Sequence, residues 1–285
     1  MTLLVFGKTG QVATELALRA PEAVFLGRGA ADLSQPEACA AAIAAHEPSA
    51  VINAAAYTAV DRAEDEETLA HVINAEAPGA MARACAAAGI PLIHISTDYV
   101  FDGSSEAPRA TTDPVAPQNA YGRSKLAGEA AIAQAGGAYA ILRTSWVFSA
   151  HGANFLKTML RLSESRDALS IVDDQIGGPT PAADIAAACL TMAEQMRADP
   201  GKTGIYHFSG MPDVSWKEFA ETIFEMAGRK VAVRGIPTAD YPTPAARPLN
   251  SRLDCALTET VFRISRPDWR EGVAAVLKDL GVSGA

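Results

Sequence analysis

The run "TLLVFGKTGQVA" constrains this chain more than any other stretch. An apolar, strand-like segment ends at Gly7, and a helix-like segment starts at Gln11. Gly7, Gly10 and Ala13 stand in a GxxGxxA spacing. Gly7 permits a tight turn, Gly10 lets a pyrophosphate approach the next helix, and Ala13 lets helix and strand pack closely. Amides at that helix N-terminus suit phosphate oxygens. On this reading Gly7, Lys8, Thr9, Gly10, Gln11 and Val12 cradle a dinucleotide. The alternative is a glycine turn with a structural role only.

The same alternation continues downstream. "AVFLGR", "AVINAAA", "PLIHISTDYVF" and "YAILRTSWVF" read as strands, separated by helices expected at 11–20, 35–46, 68–89 and 117–136. Strands that are apolar nearly throughout belong in a parallel sheet covered on both faces. The expected fold is α/β: a Rossmann-like doubly wound parallel sheet over 1–150, with returning segments near 168–208. A smaller, discontinuous and partly interleaved substrate-binding domain draws mainly on 151–285. There, helices are expected at 154–165, at 215–227 with Ser215 as cap, and at 269–280. "RGIPTADYPTPAARPLNSRLD" reads as an ordered binding loop.

A net charge of −9 argues against a general nucleic-acid or anionic-membrane surface. No apolar run approaches the roughly 18 residues of a membrane span, and the first residues read as a strand rather than a signal peptide. Cys39, Cys85, Cys189 and Cys255 are scattered and form no CxxC pair, as expected of reduced thiols in a cytoplasmic protein. The five histidines are equally dispersed, so no metal-ligand cluster is expected.

Two constellations carry chemistry. After the second strand, where an acid would hold a ribose diol, the chain places Arg28. An arginine there suits a 2′-phosphate, which favours NADPH over NADH, unless Arg28 is simply solvated. Asp32 and Leu33 are adenine-side candidates, and Ala55, Ala56 and Tyr57 are expected along the dinucleotide. The second constellation joins Ser96, Thr97 and Asp98, leaving the fourth strand, to Tyr121 and Lys125 in "YGRSKLAGE". Tyr121 and Lys125 share one helix face. An ammonium beside the phenol lowers its pKa from about 10, so that Tyr121 can give a proton to a carbonyl oxygen as hydride arrives. Thr97 would orient that oxygen, and Asn74 would hold a water or backbone group in support of the lysine. Trp146 reads as a wall for a sugar or nicotinamide face, or as core. Arg247 reads as a diphosphate ligand or as a surface cation.

The set "FGKTGQVA", "VINAAAYTAVDRAE", "HISTDYVFDG", "NAYGRSKLAGE", "LRTSWVF", "NFLKTMLRL", "DDQIGGPT" and "YPTPAARPLNSRLD" resembles the extended short-chain dehydrogenase/reductases. More narrowly it resembles the dTDP-4-dehydrorhamnose reductase family, from residue 4 to about 254. The resemblance implies NAD(P)H-dependent reduction of the C4 ketone of dTDP-4-dehydro-L-rhamnose, with Thr97, Tyr121 and Lys125 in the active site. It implies sugar-nucleotide contacts at Thr97, Asp98 and Trp146, and at Arg247, Asn250 and Ser251. Some members share magnesium across a dimer through acidic side chains. Glu15 matches one acid, but Ala183 stands where a glutamate is expected and only Asp279 lies in the short tail, so a shared metal is doubtful and a monomer is as credible as a homodimer. Two rivals share the fold: a sugar-nucleotide epimerase or dehydratase, and a non-catalytic NADP-binding regulatory subunit. Tyr99 replaces the glutamate that a dehydratase needs, and the intact Thr97, Tyr121 and Lys125 set argues against the regulatory role.

Overall fold

Residues 2–282 are described by the computed structural model. The apolar runs pair side by side. In chain order the first half contains β1 (Leu3–Phe6), α1 (Gln11–Arg19), β2 (Val24–Leu26), α2 (Pro36–His46) and β3 (Ala50–Asn53). There follow α3 (Glu67–His71), α4 (Ala77–Ala88), β4 (Leu92–Thr97), α5 (Ala120–Ala135), β5 (Tyr139–Thr144) and β6 (Val147–Phe148). The second half contains α6 (Phe155–Ser163), β7 (Ala168–Val172), β8 (Ile176–Gly177), β9 (Thr180–Pro181), α7 (Ala182–Ala198), β10 (Gly204–His207) and β11 (Val214–Ser215). It closes with α8 (Trp216–Met226), β12 (Ala232–Ile236), β13 (Asn250–Ser251), α9 (Ala256–Phe262) and α10 (Trp269–Asp279).

Six parallel strands form the main sheet in the order β10-β5-β4-β3-β1-β2. Val12 and Leu16 of α1 pack with α7 on one face. Cys39 and Ile43 of α2, Met81 and Cys85 of α4, and Ile132 of α5 pack on the other. The strand order reverses between β1 and β3, and such a switch point opens a crevice at the strand C-termini. A separate apolar cluster gathers Phe148, Leu156, Leu169, Phe219, Trp269 and Val273. It lies under α6, α8 and α10 and the parallel pair β7·β12. Ser215 caps α8 with a reciprocal Glu218 box, as its sequence suggests.

Three elements differ from expectation. The helix expected at 68–89 is interrupted by a π-helical segment, Val72–Glu76, which carries Asn74. The proline-rich stretch opens inside β12, because 232–236 pairs with β7 and buries part of one side. Helix α9 follows at once after that stretch, where Asp254 and Cys255 gave no clear start signal.

Two glycines of α5 decide how closely it docks. A Cβ at Gly122 would stand 2.3 Å from the Tyr99 carbonyl oxygen, and one at Gly128 would stand 2.0 Å from the Asn74 carbonyl oxygen. Both contacts are with backbone, which yields little. Replacing Gly128 with Ala should therefore destabilise the protein by about 1–3 kcal/mol, the usual cost of overpacking, despite Ala's better helix propensity. Urea unfolding checks this; an unchanged or raised midpoint would show that α5 stands off the π segment.

Candidate active site

The crevice is built first from the turn after β1. Gly7 has φ +114°, and a Cβ there would meet the Ala54 carbonyl oxygen at 3.1 Å and the Ala13 Cβ at 3.4 Å. Gly10 begins α1 without a side-chain cap, and its own Cβ direction is open, with only Ala54 O at 3.9 Å. Lys8 and Thr9 are exposed beside it. Free amides, an open approach and half-buried Ala55, Ala56 and Tyr57 across the crevice fit a dinucleotide diphosphate. Two cradle residues face elsewhere. Gln11 Oε1 accepts from Ser149 Oγ at 2.9 Å and Asn154 Nδ2 at 2.8 Å, tying α1 to the loop before α6. Val12 is core.

Beyond β2, Arg28 is largely exposed and lies 3.5 Å from the Asp32 carboxylate. Asp32 also accepts from Ser34 N at 2.9 Å, which with Arg28 holds its pKa below the usual value. Its carboxylate is thus already engaged. Leu33 is buried in the sheet core with Leu26 and Ile43, so it contributes packing under the crevice and little surface to it.

At the end of β4, the Thr97 hydroxyl accepts from Tyr99 N at 3.2 Å and donates to Asp98 Oδ1 at 3.1 Å. Asp98 is buried, and its Oδ2 has no hydrogen-bond partner. Burial pushes the carboxyl up to about 6, opposed by the Ser251 and Thr97 hydroxyls. Asn119 caps α5 by accepting from Gly122 N at 2.7 Å. Two residues on, Tyr121 packs edge-on against the Tyr99 ring at 5.6 Å. Burial pushes the Tyr121 phenol up to about 12, opposed by the Thr97 hydroxyl and reinforced by Asp98.

Thr97, Asp98 and Tyr121 thus converge. The two hydrogen bonds of Lys125 lead away from the phenol. Its Nζ donates to the Ile95 carbonyl at 2.7 Å and lies 3.1 Å from His94 Nε2, and neither contact is with Tyr121. Burial lowers Lys125 to about 8, with Glu129 opposing. Asn74 holds a backbone group, as expected, and that group is Tyr57. Its Oδ1 accepts from Tyr57 N at 2.8 Å, and its Nδ2 donates to Tyr57 O and Ser124 Oγ, both at 3.0 Å. Ser124 in turn donates to the Tyr121 carbonyl at 2.7 Å. Asn74 therefore fixes the crevice wall to the helix bearing Tyr121. One turn beyond Lys125, Glu129 forms a buried pair with Arg143 at 2.6 Å and accepts from Ser96 Oγ at 2.5 Å.

The remaining candidates form the outer wall. Trp146 takes φ +48°, uncommon for an aromatic residue, and stacks on Trp216 with centroids 3.6 Å apart. A Cβ at Gly177 would meet both Trp146 Cε2 and Ser251 Cβ at 2.9 Å, so the two walls meet there. Arg247 makes paired bonds of 2.8 Å to both oxygens of Asp61. Asn250 is committed to the loop, donating to Ala107 O and accepting from Arg252. His94, Ser124, Asp61 and Trp216 were not singled out from sequence. Only the polar character of His94 in an apolar strand was a visible signal.

Comparison with known proteins decides the family. The family model described as RmlD substrate binding domain matches residues 1–282. A dTDP-4-dehydrorhamnose reductase of Sinorhizobium fredii (strain NBRC 101917 / NGR234) is 44% identical over 100% of this chain and 99% of its own. This chain belongs to the dTDP-4-dehydrorhamnose reductase family. The crystal structure of a family member from Clostridium acetobutylicum superposes with a TM-score of 0.93 at 34% identity, covering 99% of this chain and 100% of that one. A member from Bacillus anthracis, solved in complex with NADP, gives 0.90 at 34% identity, covering 98% and 99%.

The magnesium that some of the family share does not fit here. Arg19 holds the Glu15 carboxylate at 2.5 Å, His151 lies 3.5 Å from its other oxygen, and Ala183 offers no ligand. Among the described residues no group of three His, Cys, Asp or Glu is placed to hold a metal ion. Nor, among them, is any helix long and apolar enough to cross a membrane.

Asp98 gives a stability test. Its folded pKa of about 6 lies above the ordinary 3.8, so folding favours the neutral acid. Below both values there is no difference between states; as pH rises through them, stability falls by roughly 3 kcal/mol. Replacing Asp98 with Asn should remove that loss, so its melting temperature relative to the parent should rise between about pH 4 and 7. Thermal melts across that range check the sign.

Proposed function

We propose that this chain reduces the C4 ketone of dTDP-4-dehydro-L-rhamnose to dTDP-L-rhamnose, with NADPH preferred to NADH. Thr97 and Asp98, buried at the C-terminal end of β4, and the half-buried Tyr121 beside them carry this reading. Bound dihydronicotinamide supplies the hydride. Tyr121 gives its proton to the ketone oxygen, and Thr97 holds that oxygen in line by its hydroxyl. Because burial, reinforced by Asp98, raises the phenol above its ordinary value of about 10, Tyr121 enters the reaction as an acid. Lys125 binds nicotinamide-ribose hydroxyls and returns a proton to the tyrosine. Asn74 holds Tyr57 and Ser124, and so the spacing of the two walls.

The Gly7–Val12 segment seats the diphosphate of the cofactor, with Ala55, Ala56 and Tyr57 opposite. Arg28 exchanges Asp32 for the 2′-phosphate, with Asp32 and Leu33 shaping the adenine side. On the substrate side Asp98 and Ser251 take sugar hydroxyls, Trp146 offers its ring, and Arg247 exchanges Asp61 for the diphosphate of the sugar nucleotide. Asn250 shapes the loop that carries Ser251. The segment after residue 150, with β10 and α7 returned to the sheet, serves as the substrate-binding part. Tyr99, packed on Tyr121, occupies the place where a dehydratase would need a carboxylate. The enzyme works in the cytoplasm, as a monomer or as a homodimer that does not depend on shared magnesium.

Replacing Tyr121 with Phe should lower kcat by about 10²-fold or more, with little change in NADPH affinity. Steady-state kinetics with the ketosugar nucleotide and saturating NADPH check this; an undiminished kcat removes Tyr121 as the acid. Replacing Arg28 with Ala should raise KM for NADPH about tenfold or more and leave KM for NADH nearly unchanged. Equal small changes in both would free Arg28 of the phosphate role.

A further inference from the structure

A chain of three buried side chains runs behind the active site, from β3 through β4 to α5. Asn53 lies 3.1 Å from His94 Nδ1, and His94 Nε2 lies 3.1 Å from Lys125 Nζ. All three residues are only 1% exposed. The polarity of this chain follows from its first link. Ala55 N donates to Asn53 Oδ1 at 3.1 Å, so the amide nitrogen of Asn53 is the atom that faces His94. An amide nitrogen only donates, hence Nδ1 accepts. Neutral His94 then carries its proton on Nε2, which faces the lysine nitrogen.

An Nε2–H needs a lone pair opposite it, and an ammonium has none. With Lys125 as the amine, every contact is satisfied: Nζ accepts from Nε2–H and donates to Ile95 O at 2.7 Å. With Lys125 as the ammonium, Nε2 must accept and the ring proton moves to Nδ1, against the Asn53 N–H. One buried hydrogen bond is then lost.

We propose that His94, oriented by Asn53, is a positioning residue that presents Nε2–H to Lys125 and loosens the lysine's hold on its proton. The proposal rests on the reductase reading and adds to it the group that tunes Lys125. Its use is in recharging Tyr121. Each turnover consumes one proton as NADPH and ketone become NADP⁺ and alcohol. A lysine that releases its proton readily returns it to the tyrosinate, and is itself reprotonated from solvent. Burial acts on Lys125 in the same sense, and both burial and Lys125 keep His94 neutral. The other ionisable groups on the surrounding elements are Tyr121, Arg123 and Glu129 on α5, Asp98 and Tyr99 after β4, Tyr139 and Arg143 on β5, Glu67 and His71 on α3, and Tyr57 with Glu66 before it. Glu129 is paired with Arg143, and Glu66 with Arg62.

The test reads Lys125 directly. The protein is labelled with ¹³Cε-lysine and titrated without ligand, the Lys125 signal being the one absent from Lys125→Met. His94→Gln places an amide near the lysine, and its oxygen can turn to accept from an ammonium. The Lys125 midpoint should rise by about one pH unit, a tenfold gain in proton affinity. Asn53→Asp keeps an oxygen for Ala55 N–H and offers His94 an acceptor in place of a donor; its midpoint should rise as well, which covers failure of the first variant to fold. The alkaline limb of kcat/KM for the ketosugar nucleotide should move upward with it. An unmoved midpoint in whichever of these variants folds overturns the proposal. A raised midpoint in a protein that never reduces a ketosugar nucleotide would instead support the His94 role and overturn the reductase reading.

Discussion

Tyr121 reaches the end of β4 because α5 lies in backbone contact with two neighbours. At Gly122 it touches the turn after β4, and at Gly128 it touches the π segment that carries Asn74. Each glycine weakens the isolated helix by about 1 kcal/mol relative to alanine. The close approach offsets that cost by fixing three things at once. It sets Tyr121 beside Thr97 and Asp98, sinks Lys125 beneath the surface, and lets Asn74 bond to both Tyr57 and Ser124. A helix one methyl group further out would loosen all three.

Such burial has one electrostatic consequence with several expressions. It pushes Asp98 up to about 6 and Tyr121 up to about 12, and it pulls Lys125 down to about 8. Every shift favours the uncharged form, because low-polarity surroundings penalise charge. The inner groups are thus all moved towards their uncharged forms, whereas the outer ones are held by ion pairs. Arg247 with Asp61, and Arg28 with Asp32, keep their cations positioned near the crevice. A phosphate brings more charge than a carboxylate and can accept the paired bonds that Arg247 makes to Asp61, so an exchange of partners there is chemically simple. Deeper still, the Glu129–Arg143 pair closes its own charges and ties α5 to β5 and, through Ser96, to β4. Removing one partner of such a pair typically costs about 3–5 kcal/mol.

Much of this was readable from sequence because it depends on local rules. Apolar runs alternating with helical periods specified the parallel sheet. The GxxGxxA spacing specified the turn at Gly7, and a Ser215…Glu218 spacing specified the start of α8. Four-residue spacing put Tyr121 and Lys125 on the same helix. Less was legible where a residue's role depends on a partner far along the chain. Asn74 was expected to hold a water or backbone group in support of the lysine; which group it holds, the Tyr57 backbone together with Ser124, was set by the π segment that carries it. Asp61 meets Arg247 across 186 positions, and no local pattern announces that pair.

The amino-acid sequence alone determined the layered α/β architecture, the glycine turn after β1 and the placing of Tyr121 and Lys125 on one helix, since each follows from backbone propensity and short-range spacing. Tertiary structure alone decided the electrostatic state of Tyr121 and its neighbours. Charge near a phenol was legible as four residues of spacing, but its effect depends on distance, direction and dielectric. Those were set when α5 settled against β4 and placed His94, rather than Tyr121, opposite the lysine nitrogen.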